Sequence, residues 1–376
     1  MTEMTNKIKL VDRFTGAMLG GLIGDCLGAT FEMRFENLVP VRKIDTFFED
    51  LKNMDVETDE KYQYTDDTAM ARQIALSFIE HKKLDPKAIA KNFSAEYFKE
   101  PWRGYGGSVV EVFDKLRASN CEDHFKPAGE QFEGSGSYGN GAGMRAHPIA
   151  LACVGYPPEQ VVEQAKAVAK LTHSHPLGVH GGVVQTMAVY HALQGCNSKE
   201  ILEKIKELVV DLEKDYEAST ASTYKNKLEL VEQFLSKSDD DLDEICFELG
   251  NDVSAVDSVP TALFCFLKVM HESMREDPIP LPEAMFERVL RLAIRMGGDT
   301  DTIASMACSI AGAYLGREAI PAHLVQVCEN ATQVESMGAK IFEISQEVVR
   351  DSDSANGNPD ETISEPEAKK HKPSSD

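Results

Sequence analysis

Residues 14–28 read FTGAMLGGLIGDCLG, and the nature of this stretch decides what kind of fold to expect. Phe14, Met18, Leu22 and Ile23 recur at the spacing of one helical face. Gly16, Gly20, Gly21, Gly24 and Gly28 interrupt it. A glycine inside a helix costs about 1 kcal/mol relative to alanine. Five of them in one segment need a reason, either close backbone packing or a tightly approached ligand.

Helical spacing continues along the chain. A helix starts at Thr65 and runs through Met70, Ile74 and Phe78. Another begins at Asp85-Pro86, where a capping acid precedes proline at the first helical position. Further helical patterns cover 108–118, 158–171, 182–193, 199–213, 223–236, 260–271, 282–296, 302–315 and 321–349. The best strand signal, at 39–48, alternates only weakly. Strands and helices do not alternate, which disfavours a doubly wound parallel sheet, and no fixed-period repeat is present.

The expected organisation is a flexible N-terminus at 1–10, a single all-α domain at 11–350, and a disordered tail at 351–376 rich in Ser, Asp, Glu, Pro and Asn. Lys369-Lys370-His371-Lys372 within the tail reads as a solvated charge run or a weak nuclear address. The first ten residues carry Glu3, no arginine and no apolar core, so they resemble neither a secretory signal nor a transit peptide.

The 376 residues include 62 acidic and 39 basic side chains, a net charge of −23, and 42% are hydrophobic. That balance suits a globular protein and opposes nucleic acid or anionic membranes as bulk-charge partners. No apolar run approaches the ~20 residues of a membrane span. Of the eight cysteines no two stand in CxxC spacing, and most lie in apolar stretches, as expected of reduced, buried thiols in an intracellular protein.

Three segments carry candidate chemistry. Tyr64-Thr65-Asp66-Asp67-Thr68 opens a helix; one acid there is a cap, but two beside a hydroxyl are hard ligands for Mg²⁺, Mn²⁺ or Ca²⁺. Gly297-Gly298-Asp299-Thr300-Asp301-Thr302 opens another, followed by a run of small residues suited to a deep position. Two buried aspartates would be costly there without a cation. If the two helix starts meet, they supply four carboxylates and several hydroxyls, enough for two metal ions ~3.5–4 Å apart. The third segment, residues 134–143 (GSGSYGNGAG), matches GxGxxG formally but follows no strand. It reads either as a nest of backbone N–H groups for a diphosphate, flanked by Phe132 and Tyr138 for a planar base, or as a flexible surface loop. His173 and His175 are too close in sequence to share a zinc ion from one helical face, so a single polar contact is expected. There is no HD dipeptide, GxSxG elbow or Walker A motif.

Residues 20–32 (GGLIGDCLGATFE), 64–72 (YTDDTAMAR), 134–144 (GSGSYGNGAGM), 171–173 (LTH), 249–262 (LGNDVSAVDSVPTA) and 297–316 (GGDTDTIASMACSIAGAYLG) resemble, in order, the ADP-ribosylhydrolase (dinitrogenase-reductase-activating-glycohydrolase-like) family over 14–349. Within it the serine-type, poly(ADP-ribose)-trimming branch is most similar. The resemblance implies a compact orthogonal bundle with a binuclear Mg²⁺ or Mn²⁺ cleft. By motif, Thr65, Asp66, Asp67, Asp299, Asp301 and Thr302 would be ligands, with Glu32 as the mobile glutamate over the metals. Ser135, Gly136, Ser137, Gly139, Asn140 and Gly141 would hold the diphosphate and distal ribose, and Asp66 would also meet the substrate. Phe132 and Tyr138 would embrace adenine, His173 would contact the ligand, and Val253 would line the adenosine side. The implied partners are ADP-ribose, serine-ADP-ribosylated proteins and poly(ADP-ribose), acted on by a monomer in cytoplasm, nucleus or mitochondrial matrix. The implied chemistry is glycosidic hydrolysis, with Asp299 orienting or deprotonating water and Glu32 gating the site. O-acetyl-ADP-ribose is a further candidate substrate. Alternatives are a non-catalytic ADP-ribose binder or structural relative, and a Mg²⁺-dependent prenyl-diphosphate enzyme; the latter wants DDxxD, which Asp66-Asp67 does not begin.

Overall fold

The computed structural model describes residues 8–32, 37–214, 223–237, 241–276 and 278–356, with side chains up to 350. Its helices of eight residues or more are numbered in chain order. The glycine-interrupted stretch is α1 (Leu10–Gly28), buried from Arg13 onward. Then comes α2 (Val41–Asn53), where the best strand signal lay. The weak alternation there is part of a helix, as the all-α reading allows: Ile44, Phe47, Phe48 and Leu51 are buried at helical spacing, and the charged residues between them face outward.

The next three are α3 (Asp66–His81), α4 (Pro86–Lys99) and α5 (Gly107–Ala118). Thr65 caps α3, and Asp85 caps α4 by accepting from Lys87 N and Ala88 N. Then follow α6 (Pro158–Ala169), α7 (Pro176–Leu193), α8 (Ser198–Leu212) and α9 (Thr223–Ser236). Helix α7 starts earlier than its apolar pattern, at Pro176 behind a His175 cap.

The remaining helices are α10 (Leu242–Leu249), α11 (Ala255–Ser273), α12 (Pro282–Arg295), α13 (Thr300–Leu315) and α14 (Ala331–Asn356). Helix α11 begins ahead of Pro260, with Ser254 as its cap. The helix expected over 321–349 is broken: a short helix, Ala322–Gln326, is followed by a turn in which Asn330 takes φ 56°, and only then by α14. Tyr62 N donates to Val327 O at 2.9 Å, and Glu329 N to Tyr62 O at 2.9 Å, which holds the turn open. Helix α14 runs to Asn356, into the segment assigned to the tail; 357–376 and 1–7 lie outside the described residues. Among the described residues there is no strand, only isolated bridges at Tyr62–Cys328 and Gly139–Ser254.

Helix α13 is the axis of the molecule. All of it is buried, and α1, α7, α11 and α12 pack around it. Its contact with α1 explains four of the five glycines, the fifth, Gly21, lying against the His147 ring. Gly16, Gly20, Gly24 and Gly28 face Gly312, Cys308, Ala304 and Thr300 in antiparallel order. A Cβ on Gly20 would stand 2.1 Å from Cys308 O, and one on Gly24 2.2 Å from Ala304 O. The two backbones touch, so no side chain fits between them. Buried Arg13 closes the far end, donating to Ala192 O, Ala313 O and Tyr314 O at the C-termini of α7 and α13. All eight cysteines are free thiols and seven are buried, as the reduced-thiol reading expected.

Candidate active site

The glycine contact sets where the chemistry falls. It ends with Gly28 against Thr300, whose hydroxyl donates to Gly28 O at 2.8 Å. The residues just after α1 therefore meet the start of α13. One turn back in α1, fully buried Asp25 accepts from Thr65 N at 2.9 Å and Thr68 N at 3.0 Å. Those N–H groups belong to the first turn of α3. One carboxylate thus holds the α3 start beside the α13 start.

The two Thr/Asp clusters consequently face each other. Thr302 Oγ1 donates to Asp67 Oδ2 at 3.4 Å, and Thr65 Oγ1 donates to the same oxygen at 3.2 Å. Carboxylate oxygens of Glu32, Asp299 and Asp301 lie within 4.8 Å of one another. Asp67, Asp299, Asp301 and Thr302 are buried, whereas Glu32 is exposed at the rim.

The electrostatics are one-sided. Burial, then Asp25, Asp299 and Glu32, push Asp66 up to about 8. Burial and neighbouring carboxylates raise Asp67 and Asp301 well above the usual range, and Glu32 is raised by burial and then by Asp299 and Asp25. Asp67 Oδ1 is buried with no hydrogen-bond partner. An unsatisfied buried acceptor costs about 1–3 kcal/mol, and clustered acids without a cation cost more. Hard oxygen donors at this density, one of them orphaned, fit a divalent cation of the Mg²⁺ or Mn²⁺ type.

The cluster floors a cavity of about 350 Å³. The glycine loop forms the opposite wall. It is ordered by its neighbours, with Tyr138 O accepting from Ala255 N at 3.0 Å and Asn140 N donating to Val253 O at 2.9 Å. Asn140 joins the two walls, its Nδ2 donating to Asp299 Oδ2 at 2.5 Å. Phe132, Tyr138 and Val253 are each more than half exposed and stand at the mouth. Phe132 and Glu133 both have φ above +50 or equal to it, a conformation costly for non-glycine residues and imposed at a turn that turns the ring toward the opening.

Of the candidate residues, Glu32, Thr65, Asp66, Asp67, Phe132, Ser137, Tyr138, Gly139, Asn140, Gly141, His173, Val253, Asp299, Asp301 and Thr302 line this one cavity. Ser135 and Gly136 do not. Ser135 Oγ donates to Phe132 O at 2.7 Å, and Gly136, at φ 77°, backs onto Ser174, where a Cβ would collide. Both build the turn rather than the wall.

The sequence reading overlooked Asp25, which holds the start of α3, and Arg145, Gly104, Gly106, Ser108 and Val109, which also line the cavity. Asp25 had a signal: it is the one acid inside an apolar, glycine-rich helical stretch. The helical pattern over 108–118 was legible, but nothing in it marks Ser108 and Val109, at the start of α5, or Gly104 and Gly106 before it, as cavity-lining.

The family model described as ADP-ribosylglycohydrolase matches residues 6–351. The chain is 39% identical over 350 residues to the ADP-ribosylhydrolase ARH3 of Gallus gallus, covering 88% of this chain and 93% of that protein. It is 38% identical over 349 residues to ADP-ribosylhydrolase ARH3 of Homo sapiens, covering 89% and 94%. It is 25% identical over 331 residues to the uncharacterized protein YegU of Escherichia coli K12, covering 86% and 94%. A solved structure titled ADP-ribosylglycohydrolase-related protein complex superposes with a TM-score of 0.62 at 22% identity, covering 89% of this chain and 99% of that one. That likeness bears on the fold, which is all-helical in both this chain and the family. Among the described residues no helix is long and apolar enough to cross a membrane.

Proposed function

Because the chain belongs to the ADP-ribosylglycohydrolase family and is a glycosidase-type hydrolase, we propose that it releases ADP-ribose from serine side chains of modified proteins, and cleaves the ribose–ribose bonds of poly(ADP-ribose), with two Mg²⁺ ions. The observation that carries this reading is the convergence of both Thr/Asp helix starts and Glu32 on the floor of a cavity whose opposite wall is the glycine loop. A prenyl-diphosphate enzyme is set aside by the family. A non-catalytic binder would have no use for a buried, orphaned carboxylate oxygen opposite its ligand loop.

Thr65, Asp66, Asp67, Asp299, Asp301 and Thr302 would hold the ions, which, when bound, supply positive charge for the ribose diol and lower the pKa of a bound water. The chain's own part is positioning. The loop from Ser137 to Gly141 and His173 grip the diphosphate side, while Phe132, Tyr138 and Val253 enclose the adenosine side. This leaves the anomeric carbon over the acids. Its transition state is oxocarbenium-like, and the carboxylates beneath stabilise the growing positive charge. Asp299 orients the attacking water or accepts its proton. The 2.5 Å bond from Asn140 fixes one of its oxygens, so the other faces the reaction. Glu32, at the exposed rim, moves aside to admit substrate.

The test is product analysis on serine- and arginine-modified peptides side by side. ADP-ribose should leave the serine peptide in Mg²⁺, stop with EDTA, and stay on the arginine peptide. Asp299→Asn should lower turnover at least ~10²-fold with an unchanged melting temperature. Release from arginine alone, or full activity in EDTA, would overturn the reading.

A further inference from the structure

We propose that Arg145 and Thr172 are positioning residues that hold the His173 imidazole in the tautomer with its proton on Nε2, so that it meets a bound ligand as a fixed hydrogen-bond donor. The proposal rests on the reading of the cavity as an ADP-ribose site, whose diphosphate offers only acceptors.

The three side chains form a buried chain of short contacts. Arg145 Nη2 donates to Thr172 Oγ1 at 2.7 Å, and Thr172 Oγ1 lies 2.7 Å from His173 Nδ1. Arg145 is 1% exposed and Thr172 is fully buried. A guanidinium has no acceptor, so the threonine hydroxyl cannot return its hydrogen to Arg145. Suppose His173 carried its proton on Nδ1. Two N–H groups would then point at one hydroxyl oxygen, and the hydroxyl hydrogen would be left in a dry place with no acceptor among the described residues. Buried donors are rarely left so. With Nδ1 unprotonated the chain closes: Arg145 donates to Thr172, Thr172 donates to Nδ1, and the ring proton sits on Nε2.

The ring stays neutral as well. Burial and then the charge of Arg145 pull His173 down to about 3. The Nε2 edge faces the glycine loop: a Cβ on Gly141 would stand 3.2 Å from Nε2, and one on Gly139 3.6 Å. A neutral imidazole held the other way would present a lone pair to phosphate oxygens and repel them. Arg145 is held in turn by Val168 O at 3.4 Å and by the face of the Phe93 ring, 4.7 Å from its guanidinium carbon. Through Thr172 it acts on the ring that faces the glycine loop.

The first readout needs no substrate. In a long-range ¹H–¹⁵N spectrum of the full chain, with the His173 signals identified by their loss in His173→Gln, Nδ1 should appear as an unprotonated acceptor and Nε2 as N–H. A ring protonated at Nδ1 overturns the proposal. Thr172→Val removes the hydroxyl at nearly constant volume. It should mix the two tautomers and weaken calorimetric binding of ADP-ribose about tenfold, and Thr172→Ser should restore both. A folded Thr172→Val protein with the wild-type tautomer and affinity also overturns it. A wild type with Nε2–H that binds ADP-ribose but releases none from serine supports the relay while removing the substrate assignment.

Discussion

Asp25 shows how much one side chain settles. Its carboxylate takes three backbone hydrogen bonds from Thr65 and Thr68 in a place with no solvent. Burial raises its pKa, and the bonds from Thr68 and Thr65 pull it back. Asp25→Ala should orphan those N–H groups and cost about 2–4 kcal/mol in urea unfolding, with Asp25→Asn milder because one acceptor remains. An unchanged urea midpoint for Asp25→Ala would contradict this role. Asp66, pushed up to about 8, makes a second prediction. At neutral pH it holds a proton that a divalent cation must displace. Metal affinity should therefore rise with pH up to about 8 and fall below it, and calorimetry in buffers of different ionisation heat should detect proton release. In the metal-free protein a raised acid favours the fold at low pH and loses that stability as pH rises from its ordinary value through about 8. The buried histidines act in the opposite sense. Burial holds His147 neutral down to about 3, so its contribution is lost as pH falls from about 6.5 toward 3.

The contact between α1 and α13 is the element on which the site depends, and the glycines that make it were legible in the sequence. Their helical stretch asked for a close backbone, and the backbone of α13 is there. Gly24→Ala should cost about 3 kcal/mol or more, because its methyl would strike the Ala304 carbonyl and neither backbone can yield. Gly107→Ala, where nothing lies within 4 Å at the start of α5, should be neutral or stabilising by up to about 1 kcal/mol. Equal urea midpoints for the two variants would contradict the packing account. Helix starts carrying their own chemistry, such as Thr65 and Asp85, were equally readable. What could not be read depends on neighbours. In α2 the β-branched residues and weak alternation hid a helical face whose burial only the tertiary contacts decide. The break before α14 has no glycine or proline to announce it, and its cause is a pairing with Tyr62, far away in sequence. Helix α10, eight residues long, is too short for periodicity to speak. The acidic pair of clusters could be proposed from sequence, but the contact from Asn140 to Asp299 could not, since no local pattern links a loop amide to a distant carboxylate.

At the scale of the whole molecule, a net charge of −23 surrounds a site proposed to take a polyanion. Like charges slow encounter, and salt screens them. The kcat/KM for poly(ADP-ribose) should therefore rise as ionic strength goes from about 10 to 150 mM, and a fall would point to a local positive track instead. The central claim concerns the cavity floor: two distant helix starts, brought together by a glycine contact and one buried aspartate, form a divalent-cation site. Equilibrium dialysis of the metal-free full chain against Mn²⁺ tests it most directly. The account predicts two ions per chain for the wild type and loss of both or one in Asp301→Asn at an unchanged melting temperature. A wild type that binds no Mn²⁺, or an Asp301→Asn variant that binds it undiminished, would contradict it.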